Sequence, residues 1–577
     1  MVWVVDASVV VESQATDLKG RKFKVKVDAE HKATELKIPT LTGAHMHAFH
    51  ASWFGFFTTF FSTFAAAPLA GVLKDPSTLA LTRPEIQMGN IASVTANIVC
   101  RMLMGVVSDK MGPRKGLAFV LLITAPAILG MMFVQSAGMF IAMRAIIGVG
   151  LASFVACQVW CSQMFAKSVV GIANATAGGW GNLGGGVTTI SMIWVYRGFM
   201  GVTGNNMDLS WRLCFIIPLV LHLLGAVFAL TGQDLPDGNY KELEVAGAKQ
   251  KSDASVVIKV GLSNVNAWIL TIAYALSFGV ELTMTNVATQ YFYEYHALRQ
   301  TTAATLGSIF GLVNICARSL GGMCSDWSNR KFGMRGRIWA LWIWQTIEGI
   351  LCIVMGLLSL SGSAPDFTAP NDVIGDVNIG GTWYPFNGTG ITQRIVPCGS
   401  LQVELTNALK ANLDPAFASV DTVVLSQAPV GAGADCVSNM GRGVIVVLVM
   451  FMFSVSVQMA EGLTYGIVPY ISRPALGVVS GMVGAGGNAG ALVTNAAFFL
   501  SNEVRTDTGF INMGIMIIIG TLSLFGVYFP DMGGMLFRAG SIKYDPQCIK
   551  PPEGYKGSDE VTVTKAENHD LKRVDPA

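Results

Sequence analysis

The chain has 577 residues, of which 52% are hydrophobic and only 13% charged, and its mean hydropathy is +0.50. Because a soluble domain carries about 25% charged residues, this composition excludes a water-soluble protein and predicts an integral protein of the lipid bilayer. The net charge of +2 excludes a basic surface for nucleic acid. The 64 glycines predict closely packed helices, and the lack of short alternating apolar and polar segments excludes an outer-membrane barrel.

Twelve apolar segments are long enough, at about 20 residues each, to cross the hydrocarbon core of a membrane. They predict an all-α membrane protein with twelve transmembrane helices. Asp6 interrupts the apolar start of the chain, so no cleavable signal is predicted and the first span does the targeting. The predicted spans cover residues 49–71, 84–107, 117–134, 139–161, 171–196, 211–231, 267–287, 303–324, 338–360, 443–467, 476–500 and 511–529.

Two short loops set the predicted orientation, because Lys and Arg mark cytoplasmic loops. The loop after the second span holds Lys110, Arg114 and Lys115, and the loop after the eighth holds four basic residues between 330 and 337. Both loops, and therefore both termini, are predicted to be cytoplasmic. The predicted organisation is a tail (1–48), a six-helix half (49–231), a linker (232–266), a second half (267–530) with an outer loop (361–442), and a tail (531–577).

The outer loop is polar, and its sequence leaves open whether it forms a small ordered cap or a flexible loop. It contains a glycosylation acceptor at Asn387, in the sequence Asn-Gly-Thr. Cys398 and Cys436 share this loop, which predicts an extracellular disulfide between them.

A repeated motif relates the two halves. The spacing Arg-x3-Gly-x2-Ser-Asp occurs at 101–109 and again at 318–326. A second pair of glycine-rich stretches, each with a central asparagine, lies at 178–184 and 484–490. Two parallel halves of this kind are the arrangement of the major facilitator superfamily, with the substrate held between them near the membrane midplane.

The repeated arginines are predicted to lie deep in the membrane. Arg101 precedes Asp109 by eight residues, or about 12 Å of helix, against a half-thickness of about 15 Å. A charge at that depth costs roughly 2.5 to 3.5 kcal/mol, so Arg101 and Arg318 must face a polar cavity or a counter-charge. One alternative is an internal ion pair that only holds helices together. The matched positions of Arg101 and Arg318 favour one shared cavity with an anion between the two guanidiniums. Arg144 has no counterpart in the second half and is interpreted as a helix-end or gating residue.

The glycine-rich helices predict the size of that anion. Small residues at close helical spacing bring backbones together and leave a narrow cavity. Asn182 and Asn488 can offer amide hydrogens there, and a guanidinium fork suits a small planar oxyanion.

The sequences AGGWGNLGGG (177–186), GMVGAGGNAGA (481–491) and HASWFGFFTTFFSTFAAAPL (50–69) resemble stretches of the nitrate/nitrite porter family, in its eukaryotic high-affinity branch. The resemblance extends over residues 28–533. It implies nitrate import across the plasma membrane, and some relatives need a small single-span accessory protein. It also implies that Arg101, Arg318, Tyr274, Phe278 and Phe154 bind nitrate. With Asn182, Asn488 and Gly178 of the glycine-rich helices, they form the predicted nitrate-binding set.

Nitrate entry needs a driving force, because an anion entering an inside-negative cell climbs about 2.3 kcal/mol per 100 mV. The chain has no Walker A motif, which argues against ATP, and two or more protons would let the potential help. Glu281, Glu348 and Glu461 are the candidate proton carriers, with His222 weaker. Glu281 is favoured because it continues the helical stripe of Tyr274 and Phe278, although any of these carboxylates could instead be a structural partner of an arginine.

Other functions stay open at this point: a nitrate/nitrite exchanger, a porter for another small anion, or a nitrate sensor without net transport. No nucleophile with a neighbouring base is found in the spans, so no enzyme and no cofactor are predicted. The cluster His45, His47 and His50 fits no metal-ligand spacing, so no metal site is predicted.

Overall fold

The computed structural model describes residues 16–541 and 546, except 18, 74, 246–253, 296–299, 361–371, 380–381, 390–392, 396–400, 405–421, 426–434, 473–474, 500–505 and 542–545.

The first half of the chain forms six long helical segments. Thr82 and Glu85 cap the second of them reciprocally, since the Glu85 carboxylate accepts from both the backbone and the hydroxyl of Thr82 at 2.7 Å. A glycine with φ 89°, Gly112, makes the turn into the third. The segments are α1 (Ala44–Phe64), α2 (Arg83–Met111), α3 (Pro113–Met131), α4 (Ala137–Val149, a 3-10 turn at Gly150–Ala152, then Ser153–Met164), α5 (Val170–Val202) and α6 (Met207–Leu213 and Ile216–Leu230).

The second half repeats this plan. Its second and third helices form one unit, Ala317–Leu360, that bends at Gly333 with φ 64°. The segments are α7 (Val265–Tyr295), α8 (Gln300–Leu312, a 3-10 turn at Val313–Ile315, then 317–332), α9 (334–360), α10 (Asp435–Ile467 with a 3-10 turn at Val468–Tyr470), α11 (Leu476–Phe498) and α12 (Thr506–Thr521 with a 3-10 turn at Leu522–Gly526). Short helices lie at Ala70–Leu73, Tyr240–Val245 and Ala254–Leu262.

Length and composition alone qualify nine helical stretches of the described residues as membrane spans, one of which runs through the Gly333 bend and so includes both α8 and α9. The two halves meet along α2 with α11 and α5 with α8. Glycines make both approaches close: a Cβ at Gly105 would lie 2.3 Å from the Gly477 carbonyl oxygen, and one at Gly322 would lie 2.4 Å from that of Gly171. Small residues of the repeat therefore bring the halves into backbone contact.

Short antiparallel sheets lie outside the helical bundle. Between α9 and α10, strands β1 (Asp372–Ile379) and β2 (Thr382–Thr389) pair with Ile374 opposite Asn387. A second sheet has the order β3 (Gln393–Ile395), β4 (Leu401–Glu404), β5 (Thr422–Leu425). After α12, β6 (Tyr528–Phe529) pairs with β7 (Gly533–Gly534). Cys398 and the side chains of Asn387 and Cys436 lie outside the described residues, so the glycan and the disulfide stay predictions.

The described part of the N-terminal tail, residues 16–43, folds back onto the bundle. Ala33 exchanges backbone hydrogen bonds with α4, accepting from Ala166 and donating to the Met164 carbonyl, both at 2.9 Å. Lys19 pairs with Glu242 at 2.9 Å, and so ties the tail to the segment after α6. The sequence did not predict this docking. We call the end of the bundle that carries the α2–α3 and α8–α9 turns, with Lys110, Lys115, Arg330 and Lys331, the basic end.

Candidate functional site

Arg101 is completely buried on α2 and bonds across to the other half of the molecule. Its Nη1 donates to the Gly484 carbonyl of α11 at 2.7 Å, and its Nε donates to the Leu151 carbonyl at 3.4 Å. Its Cζ lies 4.8 Å from the Phe154 ring centroid and 5.1 Å from that of Phe278. Among the described residues, its Nη2 has no hydrogen-bond partner. Arg101 is thus held by carbonyl oxygens and aromatic faces and keeps one donor unused.

Arg318, at the matching position on α8, has a different environment. Its Nη1 forms an ion pair with the Glu461 carboxylate of α10, and its Nη2 donates to the Tyr274 hydroxyl. Its Cζ lies 5.6 Å from the same Phe154 ring. Gly178 makes room for this side chain, since a Cβ there would lie 3.1 Å from the Arg318 Nε. The structure therefore brings both predicted arginines to one aromatic ring, but gives a counter-charge to only one of them.

Four aromatic rings fill the space around the guanidiniums. Phe154 of α4 stacks near-parallel on Tyr274 and Phe278 of α7, with centroids 6.1 and 6.4 Å away. Tyr465 of α10, which sequence reasoning did not single out, meets Phe154 edge-on at 5.0 Å. The predicted aromatic residues are thus together, and Phe154 is the ring that faces both arginines.

Two asparagine contacts connect the halves one helical turn from the arginines. Asn182 of α5 donates to Glu281 Oε2 at 3.3 Å, while Asn314 of α8 donates to Glu281 Oε1 at 2.6 Å. Asn97 of α2 donates to the Asn488 side-chain oxygen of α11 at 3.0 Å. Asn97 and Asn314 were missed by sequence reasoning. The signal was present, because each lies four residues before a repeated arginine and extends the motif to Asn-x3-Arg-x3-Gly in both halves.

The three candidate proton carriers occupy different positions. Glu461 is fully buried and touches Arg318. Glu281, favoured from the sequence, accepts hydrogen bonds from Asn182 and Asn314. Glu348 on α9 is fully buried, and neither of its oxygens has a hydrogen-bond partner in the described part of the chain. The direct carboxylate contact to an arginine is therefore made by Glu461, with Glu281 behind it.

His222 and Arg144 lie within the first half. The His222 Nε2 is 3.5 Å from the Ser62 hydroxyl of α1. Arg144 is buried on α4, where it donates to the Thr63 carbonyl and, at 2.7 Å, to Asn90 Oδ1. Its contacts connect α4 with α1 and α2.

The three clustered histidines each have a backbone carbonyl partner of their own: His45 with His31 at 2.7 Å, His47 with Phe228 at 3.0 Å and His50 with Ile38 at 2.9 Å. Over the described ranges, no group of three or more His, Cys, Asp or Glu side chains is placed to hold a metal ion.

The aspartates of the repeat close the basic end. Asp109 accepts from the backbone N–H of Gly477 at 2.9 Å, at the start of α11. Asp326 accepts from the N–H of Ile172 at 2.8 Å, at the start of α5, and also pairs with Arg337 at 2.8 Å. Each aspartate thus caps a helix of the other half, where the N-terminal dipole favours a negative charge.

Comparison with known proteins gives a consistent result. The family model described as Major Facilitator Superfamily matches residues 52–369. The chain is 36% identical to "High-affinity nitrate transporter 2.3" of Oryza sativa subsp. japonica, over 97% of this chain and 94% of that protein. It is 38% identical to "High affinity nitrate transporter 2.5" of Arabidopsis thaliana, over 91% and 88%.

Solved structures agree on the fold. The proton:xylose symporter XylE, bound to 6-bromo-6-deoxy-D-glucose, matches with a TM-score of 0.54 and 14% identity, over 84% of this chain and 95% of that one. The fucose:proton symporter FucP of E. coli matches with a TM-score of 0.52 and 9% identity, over 83% and 98%. The predicted all-α major facilitator fold is confirmed. The chain is a multi-pass membrane protein and not an enzyme.

Proposed function

We propose that this chain, which belongs to the Major Facilitator Superfamily and within it to the high-affinity nitrate transporters of plants and algae, carries nitrate across the membrane in symport with protons. The observation that carries the proposal is the pair Arg101 and Arg318. They stand at matching positions of the two halves, both buried, with their guanidiniums on the same Phe154 ring.

Nitrate is a small planar anion, and the site offers what such an anion needs. Among the described residues, Arg101 has an unused Nη2 donor and no carboxylate as a hydrogen-bond or ion-pair partner. Arg318 can exchange its ion pair with Glu461 for a bond to the anion. Two guanidiniums donating to one oxyanion form charge-assisted hydrogen bonds, which are about twice as strong as neutral ones. Nitrate would bind beside Phe154, with Tyr274 and Phe278 forming the apolar wall.

Charge balance in this site couples nitrate to protons. Arg101, Arg318, ionised Glu281 and ionised Glu461 together carry no net charge. Nitrate adds one negative charge to a dry cavity, where an uncompensated charge is costly. One proton on the Glu281 and Glu461 pair restores neutrality and releases Arg318 for nitrate. A second proton gives the loaded site a positive charge, so that an inside-negative potential drives it inward.

Movement through the membrane follows from the caps at the basic end. With Asp109 and Asp326 in place, this end is closed. Alternating access would break these caps and close the opposite end of the bundle. The Asn182–Glu281 and Asn97–Asn488 bonds already join the halves one helical turn from the arginines, on the side away from the caps. We place the basic end in the cytoplasm of a plasma-membrane protein, because basic loops remain on that side. A small single-span accessory protein is a further proposed partner.

The test is uptake of labelled nitrate by the purified chain in proteoliposomes with an acidic exterior and a neutral interior. We expect accumulation above equilibrium that collapses when a protonophore is added. Transport that needs internal nitrite and ignores pH would make the chain an exchanger. Nitrate binding without any flux would make it a sensor.

A further inference from the structure

An apolar groove lies between α8 and α9 at the basic end, on the outside of the bundle and away from the arginine site. Its volume is about 470 Å³, and four aromatic side chains line it: Trp327, Phe332, Trp339 and Trp344. The groove exists because Gly333 takes φ 64° and folds α9 back beside α8.

The groove continues along the membrane-facing surface. On α8, Leu320 and Trp327 are exposed seven residues apart, and on α9 Ile343, Ile350 and Leu357 are exposed at the same interval. Residues seven apart lie on one face of a helix. Exposed apolar stripes on two adjacent membrane helices face lipid tails, so the groove is the end of a furrow that an acyl chain can follow.

Basic side chains surround the mouth of the groove. Arg330 and Lys331 are exposed, and the Lys331 Nζ lies 4.5 Å from the Trp327 ring centroid. Arg335 lines the groove, and its Nε donates to the Met535 carbonyl at 3.1 Å. No carboxylate of the described residues pairs with these three cations. Aromatic rings and basic side chains together are typical of the region where a membrane protein meets phospholipid headgroups.

We propose that this groove binds one anionic phospholipid. Its phosphate and acidic headgroup contact Arg330, Lys331 and Arg335, and one acyl chain lies on the aromatic wall and enters the furrow between α8 and α9. The occupant is anionic because the mouth carries three cations and the groove wall contributes no acidic side chain.

The matching turn of the first half has similar charge but fewer aromatic side chains, which supplies an internal control. The α2–α3 turn carries Lys110, Arg114 and Lys115, and Phe119 is the one aromatic residue in the sequence from 107 to 127. Arg114 is also engaged there, since it donates to the Leu230 carbonyl at 2.8 Å and its Nε lies 3.8 Å from Asp234. The lipid site is therefore specific to the second half.

The experiment is native mass spectrometry of the full chain in detergent, titrated separately with dioleoyl-phosphatidylserine and dioleoyl-phosphatidylcholine. We expect one phosphatidylserine retained more tightly than phosphatidylcholine. Arg330→Gln with Lys331→Gln should weaken phosphatidylserine retention by about tenfold, since each basic residue near an anionic surface contributes measurably to binding. The matched variant Lys110→Gln with Lys115→Gln removes the same charge and should change it by less than about twofold.

A second variant tests the apolar part without risk to the fold. Phe332 is 65% exposed, so Phe332→Ala leaves the bundle intact and should weaken retention of both lipids alike. Equal retention of the two lipids by the wild-type chain would overturn the proposal. So would an equal loss of phosphatidylserine in the two double variants, or no effect of Phe332→Ala.

Discussion

The two repeated arginines occupy equivalent positions but have unequal partners. Arg318 pairs with the Glu461 carboxylate, whereas Arg101 donates to two backbone carbonyl oxygens. A buried cation without a carboxylate is less well compensated. We therefore expect an arriving anion to stabilise Arg101 more than Arg318. Arg318 can bind the anion only after Glu461 is protonated and the ion pair between them is lost.

Replacing either arginine with lysine keeps the positive charge and removes the planar guanidinium group. Arg101→Lys and Arg318→Lys should each lower nitrate uptake by at least about tenfold, because one ammonium cannot hold the partners of the guanidinium and an oxyanion in the same plane. Uptake is measured against surface abundance. Arg197→Lys is the matched control, because Arg197 is exposed on α5 and should tolerate the change. Near-normal transport by both site variants would rule out binding of nitrate between the two guanidiniums.

The carboxyl pair makes a separate prediction. Glu461→Gln and Glu281→Gln each imitate a protonated side chain, so nitrate exchange should persist while accumulation driven by a pH gradient is lost. The assay compares nitrate counterflow with pH-driven uptake in the same proteoliposomes. Glu348→Gln is the third arm of the experiment. If it alone abolishes pH-driven uptake, the proton travels through Glu348 and the role given to Glu281 and Glu461 is wrong.

Among the helices, the close crossings at glycine decide whether the basic end can close. A Cβ at Gly322 would lie 2.4 Å from a backbone oxygen of α5, and backbone cannot move aside as a flexible side chain can. Gly322→Ala should therefore separate α5 and α8, weaken the Asp326 cap and lower transport several-fold with the protein still in the membrane. Gly198→Ala on the same α5 is the control, since nothing lies within 4 Å of a Cβ there. Equal transport by the two variants would show that this crossing does not matter.

The docked N-terminal segment gives a prediction about pH. Glu35 accepts from the Lys26 N–H at 3.0 Å and pairs with Lys37 at 2.7 Å. Burial raises the pKa of Glu35, but the bonds from Lys37 and Lys26 outweigh it and leave that pKa below its ordinary value. A lowered folded-state pKa means that the stabilisation is complete above the ordinary pKa and is lost as pH falls through the lowered value.

Glu35→Gln should accordingly loosen residues 16–43 at neutral pH, by about 1 kcal/mol, and reduce the pH dependence of their docking in the acidic range. Hydrogen exchange of this segment is the measurement. Glu30→Gln, at a side chain that is 48% exposed, is the control. Unchanged exchange in Glu35→Gln would assign the docking to the Ala33 backbone hydrogen bonds, the Lys19–Glu242 pair and the buried Val27 and Leu36, without a contribution from Glu35.

The helices were largely predictable from the sequence, because an apolar segment of about 20 residues that crosses a membrane must form a helix. The start of α1 was not, since it begins at Ala44 and the sequence placed it at Phe49. His45 and His47 are polar and indicated a boundary, but carbonyl groups of His31 and Phe228 satisfy them inside the fold. Those partners are distant in sequence, so no local pattern reveals them.

Site prediction had the same limit. Arg101 and Arg318 could be identified from the sequence, because a repeated motif contains them and a charge inside a membrane is costly. Tyr465 could not be identified in this way, because it belongs to no repeated motif. Only the packing of α10 against α4 brings it to Phe154. Glu461 could be identified as buried, but its contact with Arg318 depends on the packing of α8 against α10.

At the scale of the whole molecule, the candidate proton-carrying carboxylates belong to one half, whereas both halves contribute an arginine to the site. Between Glu85 and Asp208, Asp109 is the sole acidic residue, so the spans of the first half hold no buried carboxylate that could accept a proton in the site. Glu281, Glu348 and Glu461 all belong to the second half. In the proposed symport, proton coupling would belong to α7–α12. Arg101 reaches the site from the first half, and it would be drawn away from Phe278 and Gly484 if the halves moved apart.

The last prediction concerns which way this arrangement faces. The loop with Asn387 on β2 lies between α9 and α10, whereas the turn from α8 to α9 is at the basic end, so the loop belongs to the opposite end of α9. If the basic end is cytoplasmic, Asn387 is exposed to the glycosylation machinery. The other Asn-x-Ser/Thr sequence starts at Asn174, which is buried on α5 and donates to the Ser162 hydroxyl at 2.9 Å. Expressed in a eukaryotic cell, the chain should carry a glycan that a glycosidase removes, and Asn387→Gln should abolish it. A glycan retained by that variant, or an epitope in the 361–371 segment that is reachable only from the cytoplasm, would reverse the orientation, and with it the direction in which protons and nitrate move.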